Sequence, residues 1–395
     1  MLSGTKCRRS ILHACRKPFR SAQITFNSKI SRIPCPKFCT FPVLCYLCFN
    51  LMYNQSITQK MSQIPHHSIQ NFSNKKNYYI KGVPTIKNCN YTTIHNISVT
   101  GDAPKAIIRI HNPNQRHYFK KNKHRWSIYI AKTGHKWYPI ESMTEYLLNL
   151  LGKDFGLNMA ESSIAMIGGQ LRFLSKYFLT TRWEELVHGA DIFAGYLGDK
   201  ELVEQIEEQQ LSRDLFTLQF VEKAIDYQFS YQKSEIMNHL VRLLLYDALV
   251  GNNDRHFYNW GIVRSIKQSF QPYFSPVYDT ARGLFWNDDD DKIIRCTSDR
   301  QHRINYIIKY CRKSRPKLGW EGEKNINHFK LVEKIYNNQF YISKTEIKEL
   351  FLPPVLEKMF ATIDVNFSHL FCKQRILLIK DCIEYRYNEI CKLLQ

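Results

Sequence analysis

The strongest chemical signal in the chain is a ten-residue polar stretch, Asn252-Asn253-Asp254-Arg255-His256-Phe257-Tyr258-Asn259-Trp260-Gly261. Asp254 and Asn259 stand five positions apart. A carboxylate at the first position can orient and deprotonate a hydroxyl nucleophile. A neutral amide oxygen at the second can ligate a hard cation without adding charge that would repel a phosphate. Loops that catalyse phosphoryl transfer use this Asp-x-x-x-x-Asn spacing. Such a pair also arises by chance, and a capped turn would explain it. Asp279 follows Asn259 by twenty residues, within Pro276-Val277-Tyr278-Asp279-Thr280-Ala281-Arg282-Gly283. A carboxylate there would complete a Mg²⁺ site, or would merely cap the turn before Thr280.

The elements around these residues must bring them together. Ser234–Val250 is the clearest helix, with a wide apolar face and Gly251 as its stop. Ile262-Val263 and Phe274–Tyr278 are predicted to flank a hairpin with Lys267-Gln268-Ser269 at its tip, which returns Asp279 towards Asn259. Upstream, Trp126–Lys132 alternates so that Ile128, Ile130 and Lys132 share one face. Lys132 can reach from there towards a phosphate, or snorkel to solvent. A helix is expected over Glu141–Leu151, closed by Gly152, with Glu141, Glu145 and Leu148 on one stripe. A glutamate on it can hold the strand lysine, although most helix glutamates are simply solvated. Tyr91–Thr100 and Lys105–His111 read as two strands joined by Thr100-Gly101-Asp102-Ala103-Pro104, a turn able to aim N–H groups at phosphate oxygens or to be an ordinary hairpin. Ser163–Ile167 and Gln170–Leu174 form another hairpin about Gly168-Gly169. Beyond Asp299 the chain reads as helical, with joints at Pro316, Pro353 and Pro354.

Composition excludes some classes. Of 395 residues, 44% are hydrophobic and 23% charged, which rules out wholesale disorder. No apolar run approaches the ~20 residues that span a bilayer, so membrane insertion is not expected. The net charge of +21 belongs mostly to residues 1–101, which hold fourteen Lys/Arg and no acid; residues 102–395 contribute +7. The excess is therefore a poor argument for direct nucleic-acid binding. Six of twelve cysteines lie in the first 48 residues and the rest are scattered without paired spacing, as for reduced thiols in a cytoplasmic protein. Cys35, Cys39, Cys45 and Cys48 as zinc thiolates is the weaker reading, because the second pair sits inside an apolar run. Residues 1–75 are expected to be a poorly ordered basic leader; alternatively the biological start is Met52 or Met61 and the leader is not part of the working protein.

The stretch 249–259, followed by Tyr278-Asp279, resembles the signature of HipA-like serine/threonine kinases, Asp-x-His-x-x-Asn and then Tyr-Asp. The resemblance covers about 90–395, with its specific motifs at 249–260 and 276–286. It implies an α+β, protein-kinase-like two-lobed fold, with a small β-rich N-lobe over 76–175 and a larger helical C-lobe over 176–395. It also implies ATP and Mg²⁺ as cofactors, a protein substrate carrying Ser or Thr, and an antitoxin-like partner as a further possibility. Position by position, Asp254 matches the catalytic Asp and His256 the loop histidine, while Asn259 and Asp279 match the metal ligands. Lys132 matches the ATP-contacting lysine and Glu145 the helix glutamate. Lys176 and Phe178 fall in the strand whose backbone meets the adenine, and Gly101 is the nearest match to the phosphate loop. A lipid or small-molecule kinase of the same fold, or a nucleotide-binding module without activity, would share these features. The chain departs from the family in three places. It has no recognisable glycine-rich consensus, no counterpart in 1–75 of the toxins' small N-terminal subdomain, and an unusual segment after Asp279. The run Asp288–Asp291 in that segment is expected to be a solvated loop.

Overall fold

Alternating apolar residues build the first sheet. The computed structural model describes residues 80–94, 104–111, 120–134 and 138–395, so the expectations for the 1–75 leader and for Gly101 lie outside the described residues. Strands β1 (Tyr91–Ile94), β2 (Lys105–Ile110), β3 (Ser127–Lys132), β4 (Ser162–Ile167) and β5 (Gln170–Lys176) form an antiparallel sheet in the order β1-β2-β3-β5-β4. Ile108, Ala131, Ala165, Ile167 and Leu174 supply its buried core. The expected Gly168-Gly169 turn is present, both glycines having positive φ. Helix α1 (Ile140–Asp154) packs on β4 and β5 through a face that includes Leu147 and Leu151. Gly152 does not end this helix, which runs on to Asp154. Its missing side chain instead makes room for Met159, whose Sδ would lie 2.5 Å from an added Cβ.

The second lobe is mainly helical. It comprises β6 (Glu184–His188), α2 (Gly189–Leu197), α3 (Lys200–Glu208), α4 (Ser212–Leu215), α5 (Leu218–Phe229), α6 (Lys233–Val250), β7 (Gly261–Ser265), β8 (Tyr273–Phe274), α7 (Asp290–Cys296), α8 (Arg300–Lys313), α9 (His328–Asn338), α10 (Lys344–Leu350), α11 (Pro353–Phe367) and α12 (Lys373–Leu393). The two-lobed α+β architecture is therefore as expected. Helix α6 is its centre: Ile236, Met237, Leu240, Leu243, Leu245 and Tyr246 are all fully buried, as suits a helix that is apolar on nearly every side. Each such aliphatic side chain contributes roughly 1.5–3 kcal/mol on burial. Gly251 then adopts the left-handed conformation (φ 66°) and its N–H caps Asp247 O, ending α6 where the sequence placed the stop. No described helix is long and apolar enough to cross a membrane.

Three features differ from the sequence reading. The hairpin after Gly261 is real, but β8 is only two residues long and pairs with β7 inside a three-stranded sheet, β6-β7-β8, whose first strand had no clear periodic signal. Val277 joins Met159 by an isolated parallel bridge, which lays the segment before Asp279 beside the α1–β4 connection. The Asp288–Asp291 run is not a solvated loop. Asp288 is 3% exposed and accepts from the Tyr306 hydroxyl and the Lys292 ammonium. Asp289 caps α7 by accepting from Lys292 N (2.7 Å), and Asp290 pairs with the fully buried Arg375 (2.8 Å). A buried guanidinium and a helix N-terminus both need carboxylates, and the run supplies them.

The C-terminal half of α1 is seated in the larger lobe. The Tyr246 hydroxyl donates to Leu148 O at 2.5 Å. Phe155, at the helix end, lies 5.5 Å from both the Tyr246 and Phe351 rings, and Tyr146 meets Phe367 at 5.6 Å.

Candidate active site

Antiparallel pairing of β2 with β3 sets Lys105 opposite Lys132. Two ammonium groups side by side repel unless an anion lies between them. Asp279 is that anion: its Oδ1 is 2.9 Å from Lys132 Nζ and its Oδ2 is 3.4 Å from Lys105 Nζ. Lys132 also donates to Glu145 Oε1 at 2.6 Å, so α1 holds the strand lysine, and both side chains are over nine-tenths buried. Burial alone would favour a neutral Lys132, but Asp279 and Glu145 outweigh it and hold the ammonium proton above the usual lysine range. Burial also opposes ionisation of Asp279, and the two lysines override it, keeping the carboxyl well below the usual carboxylate range. Glu145 is more deeply enclosed, and burial raises its carboxyl despite Lys132.

The 251–261 loop is organised by a residue that the sequence reading passed over. Arg255 is 1% exposed. Its Nε and Nη2 bond the two oxygens of Asp247 on α6 (2.9 and 3.2 Å). Its Nη1 donates to Asn259 O (2.9 Å) and Tyr278 O (3.0 Å), and Nη2 to Thr280 Oγ1 (2.7 Å). One guanidinium thus ties the helix, the loop and the Asp279 segment together, bringing Asn259 and Asp279 towards one site as expected. Asn252 adds a bond from Nδ2 to Asp247 Oδ1 (2.8 Å). A fully satisfied buried network of this kind fixes geometry tightly.

Within the loop, Asn259 Nδ2 donates to Asp254 O (2.8 Å), leaving Oδ1 as the amide's acceptor end. Asp254 is half-buried and its Oδ2 lies 3.1 Å from Arg282 Nε. Burial raises its carboxyl, with Arg282 and His256 opposing. His256 shapes the turn: its N–H donates to Asp254 O (2.8 Å) and its Nδ1 accepts from Tyr258 N–H (3.2 Å). Burial lowers the ring's proton affinity, so the neutral form carries its proton on Nε2. Asp279 has φ 52°, a region that Asp tolerates better than most residues and that recurs at functional sites. The preceding Tyr278 hydroxyl bonds His188 Nδ1 (2.8 Å) and donates to Tyr258 O (3.2 Å).

The connection between lobes follows β5. Lys176 N–H donates to Glu161 O (2.8 Å) and Tyr177 N–H to Ile128 O (2.9 Å), so both are engaged within the first lobe. The Lys176 ammonium pairs with Glu161 (2.6 Å) on the surface. Phe178 is half-buried and its ring lies 5.9 Å from that of Tyr278, which puts it beside the Asp279 segment. Lys105, Asp247, Arg255, Arg282 and Tyr278 are the site residues that sequence reasoning left without a role. Of these, Arg255 had a signal as an arginine inside a dense polar motif, and Tyr278 as the Tyr of the Tyr-Asp pair.

Asp279 and Asn259 are the oxygen-bearing residues here that could hold a hard cation. Asp279 is kept ionised, Asn259 offers a neutral oxygen, and no cluster of three or more His, Cys, Asp or Glu able to hold a metal occurs among the described residues.

Fold and site together define a protein-kinase-like two-lobed α+β protein, with a strand lysine held by a helix glutamate and an Asp/Asn loop at the lobe junction. Residues 97–337 match the HipA-like C-terminal domain, and the chain belongs to that family. It is similar to the Helicobacter pylori proinflammatory kinase CtkA, with 18% identity and a TM-score of 0.61 over 79% of this chain and 96% of that one. HipA of Shewanella oneidensis MR-1, seen with HipB and operator DNA, is 9% identical, with a TM-score of 0.44 over 79% of this chain and 74% of that one. No curated protein sequence matches the chain.

Proposed function

We propose that this chain is a Mg²⁺-dependent serine/threonine protein kinase, transferring the γ-phosphoryl of ATP to a protein hydroxyl. The observation that carries this reading is the convergence, at one lobe junction, of the Lys132–Glu145–Asp279 ion network with the Arg255-anchored loop of Asp254 and Asn259. The kinase-like fold and the family support it.

Each residue has a role that its surroundings suit. Asp254, half-buried in the loop, orients the acceptor hydroxyl and takes its proton. Lys132 and Lys105 face the phosphates as a pair of fixed positive charges, and Glu145 holds Lys132 in place. Asn259 and Asp279 would hold Mg²⁺, which when bound neutralises charge on the transferring phosphoryl. The segment from Lys176 to Phe178 lies where the base would meet the backbone; with the N–H groups of 176 and 177 already engaged, Phe178 is the first whose N–H can serve. Catalysis here is positioning and charge stabilisation, so the rigidity of the Arg255 network matters as much as any one group.

Transfer of radiolabel from γ-labelled ATP to a mixed protein pool tests the reading. Labelled Ser or Thr is expected with Mg²⁺ and not with EDTA or in Asp254→Asn. Label confined to lipid or small molecules would overturn the protein acceptor, and no label at all would overturn the activity.

A further inference from the structure

The pairing inside the ion cluster at the lobe junction is unequal. Lys132 and Glu145 lie 2.6 Å apart, with side chains 9% and 7% exposed, and form a tight buried pair. Asp279 is the shared member: Lys132 holds its Oδ1 at 2.9 Å and Lys105 its Oδ2 at 3.4 Å. With Glu145 balancing Lys132, Lys105 is the ammonium that balances Asp279. The register of β2 on β3 sets Lys105 directly opposite Lys132, so both ammonium groups stand on one face of the sheet. The Lys105 side chain is 10% exposed and that of Asp279 29%, which makes the carboxylate the more open end of the pair.

Each oxygen of Asp279 therefore already has a cation against it. The charges of the two lysines and two carboxylates cancel, and a divalent cation approaching Asp279 would meet an ammonium at either oxygen. Like charges a few ångströms apart repel strongly where water is partly excluded. A polyphosphate reverses this balance. Its oxygens attract both ammonium groups, which frees the carboxylate and leaves an excess of negative charge around it. Lys105 makes the looser of the two contacts with Asp279, whereas Glu145 keeps Lys132 in place throughout.

We propose that Lys105 is a positioning residue that occupies Asp279 until a polyphosphate draws it away, so that this chain takes its nucleotide and its divalent cation together. The inference rests on the nucleotide and Mg²⁺ roles proposed above, and adds that neither ligand is held well without the other. Such coupling is the same from both sides: the factor that nucleotide adds to cation affinity is the factor that the cation adds to nucleotide affinity. Removing the Lys105 charge turns a neutral cluster into one with a net negative charge. The bare chain then gains affinity for a divalent cation and loses affinity for nucleotide. A lysine that only stabilised the fold would change neither. One that only contacted phosphate would weaken nucleotide binding and leave the bare cation site as it was.

Mn²⁺ is the probe, its free concentration read by electron paramagnetic resonance with the full chain, alone and with the β,γ-imido analogue of ATP, after allowance for the Mn²⁺ that the analogue binds in solution. In wild type the analogue is expected to tighten Mn²⁺ about tenfold or more, within the ordinary range of coupling between sites. In Lys105→Met the bare chain binds Mn²⁺ several-fold more tightly than wild type, and the analogue adds little further. Lys105→Arg keeps the charge and restores the wild-type pattern. Adding Asp279→Asn to Lys105→Met abolishes the gain, which ties it to that carboxylate. Lys105→Gln supplies a second neutral variant if the methionine one does not fold. The proposal is overturned if the bare chain binds Mn²⁺ equally with and without the Lys105 charge, or if the neutral variants keep the wild-type coupling. An analogue that binds no form of the chain would refute the nucleotide reading, and the comparison of bare chains would still decide the role of Lys105.

Discussion

Asp254 and Arg255 are neighbours in sequence with opposite duties, and substitution should separate them. Asp254→Asn keeps the shape of the loop but removes the proposed proton acceptor. Phosphotransfer is expected to fall about 10²–10⁴-fold with nucleotide affinity changed only a few-fold; wild-type turnover in the variant would end the assignment. Arg255 touches no reacting group, yet Arg255→Met leaves Asp247 as an unpaired buried carboxylate. Breaking a buried pair from one side costs about 3–5 kcal/mol. Urea unfolding should show that loss, and Arg255→Lys should not recover it, because a single ammonium cannot serve Asp247, two carbonyls and Thr280 at once. A loss under about 1 kcal/mol would mean that the network is not what holds the loop.

At the scale of elements, the helices and strands that carry the candidate site were legible because each had a local signal. Helix α6 had its apolar periodicity and Gly251, β3 its alternation up to Lys132, and the 252–261 loop its density of polar groups. What connects them was not legible. That Lys105 lies opposite Lys132 depends on strand register, and the bond from Arg375 Nη2 to Asp288 O joins positions 87 residues apart. Helix α1 was cut short because Gly152 reads as a stop, whereas here it is a contact with Met159. Strand β6 went unread because Glu184–His188 lacks alternation, and its place comes from pairing with β7. That pairing gives a sharp prediction. A Cβ at Gly261 would lie 2.5 Å from Val187 O, on the neighbouring strand β6. Gly261→Ala must therefore part β6 from β7 just beyond Asn259, at a cost of about 1–3 kcal/mol. A lowered melting temperature together with reduced turnover is expected; an unchanged melting temperature would mean that the ladder yields without penalty.

For the molecule as a whole, nucleotide held between the lobes should act as a stabiliser. If the proposed reading holds, Mg²⁺–ATP at a free concentration of about 100 times Kd should add roughly 2.7 kcal/mol. The rise in melting temperature should shrink with EDTA, and shrink further in Asp279→Ala than in Asn259→Ala because the carboxylate supplies the charge. An equal rise with Mg²⁺ and with EDTA would remove both residues from the metal site. The junction also fixes a pH response. Asp279 is held below its ordinary range, so its contribution is present above about pH 3.9 and is lost only as pH falls through the folded value. Lys132 is held above its range, so its contribution is complete below about pH 10.4 and is lost only as pH rises through the folded value. The difference in melting temperature between wild type and Asp279→Asn should be level from about pH 5 to 9 and narrow below about pH 4. A difference that titrates near neutrality would contradict the assigned charges.

The seating of α1 has one more consequence. Its carbonyl at Leu148 is held by Tyr246, its terminal Phe155 is shared by Tyr246 and Phe351, and its Tyr146 rests on Phe367. The glutamate that secures the strand lysine is thus mounted on the opposite lobe, and the boundary near residue 176 is a seam in the sequence rather than a seam in the material. A fragment ending there would leave the inner side of α1 bare to water and give Lys132 a partner on an unsupported helix. Recombination between relatives at this point should therefore yield dead chimeras unless α11 and the Tyr246 end of α6 travel with the sheet.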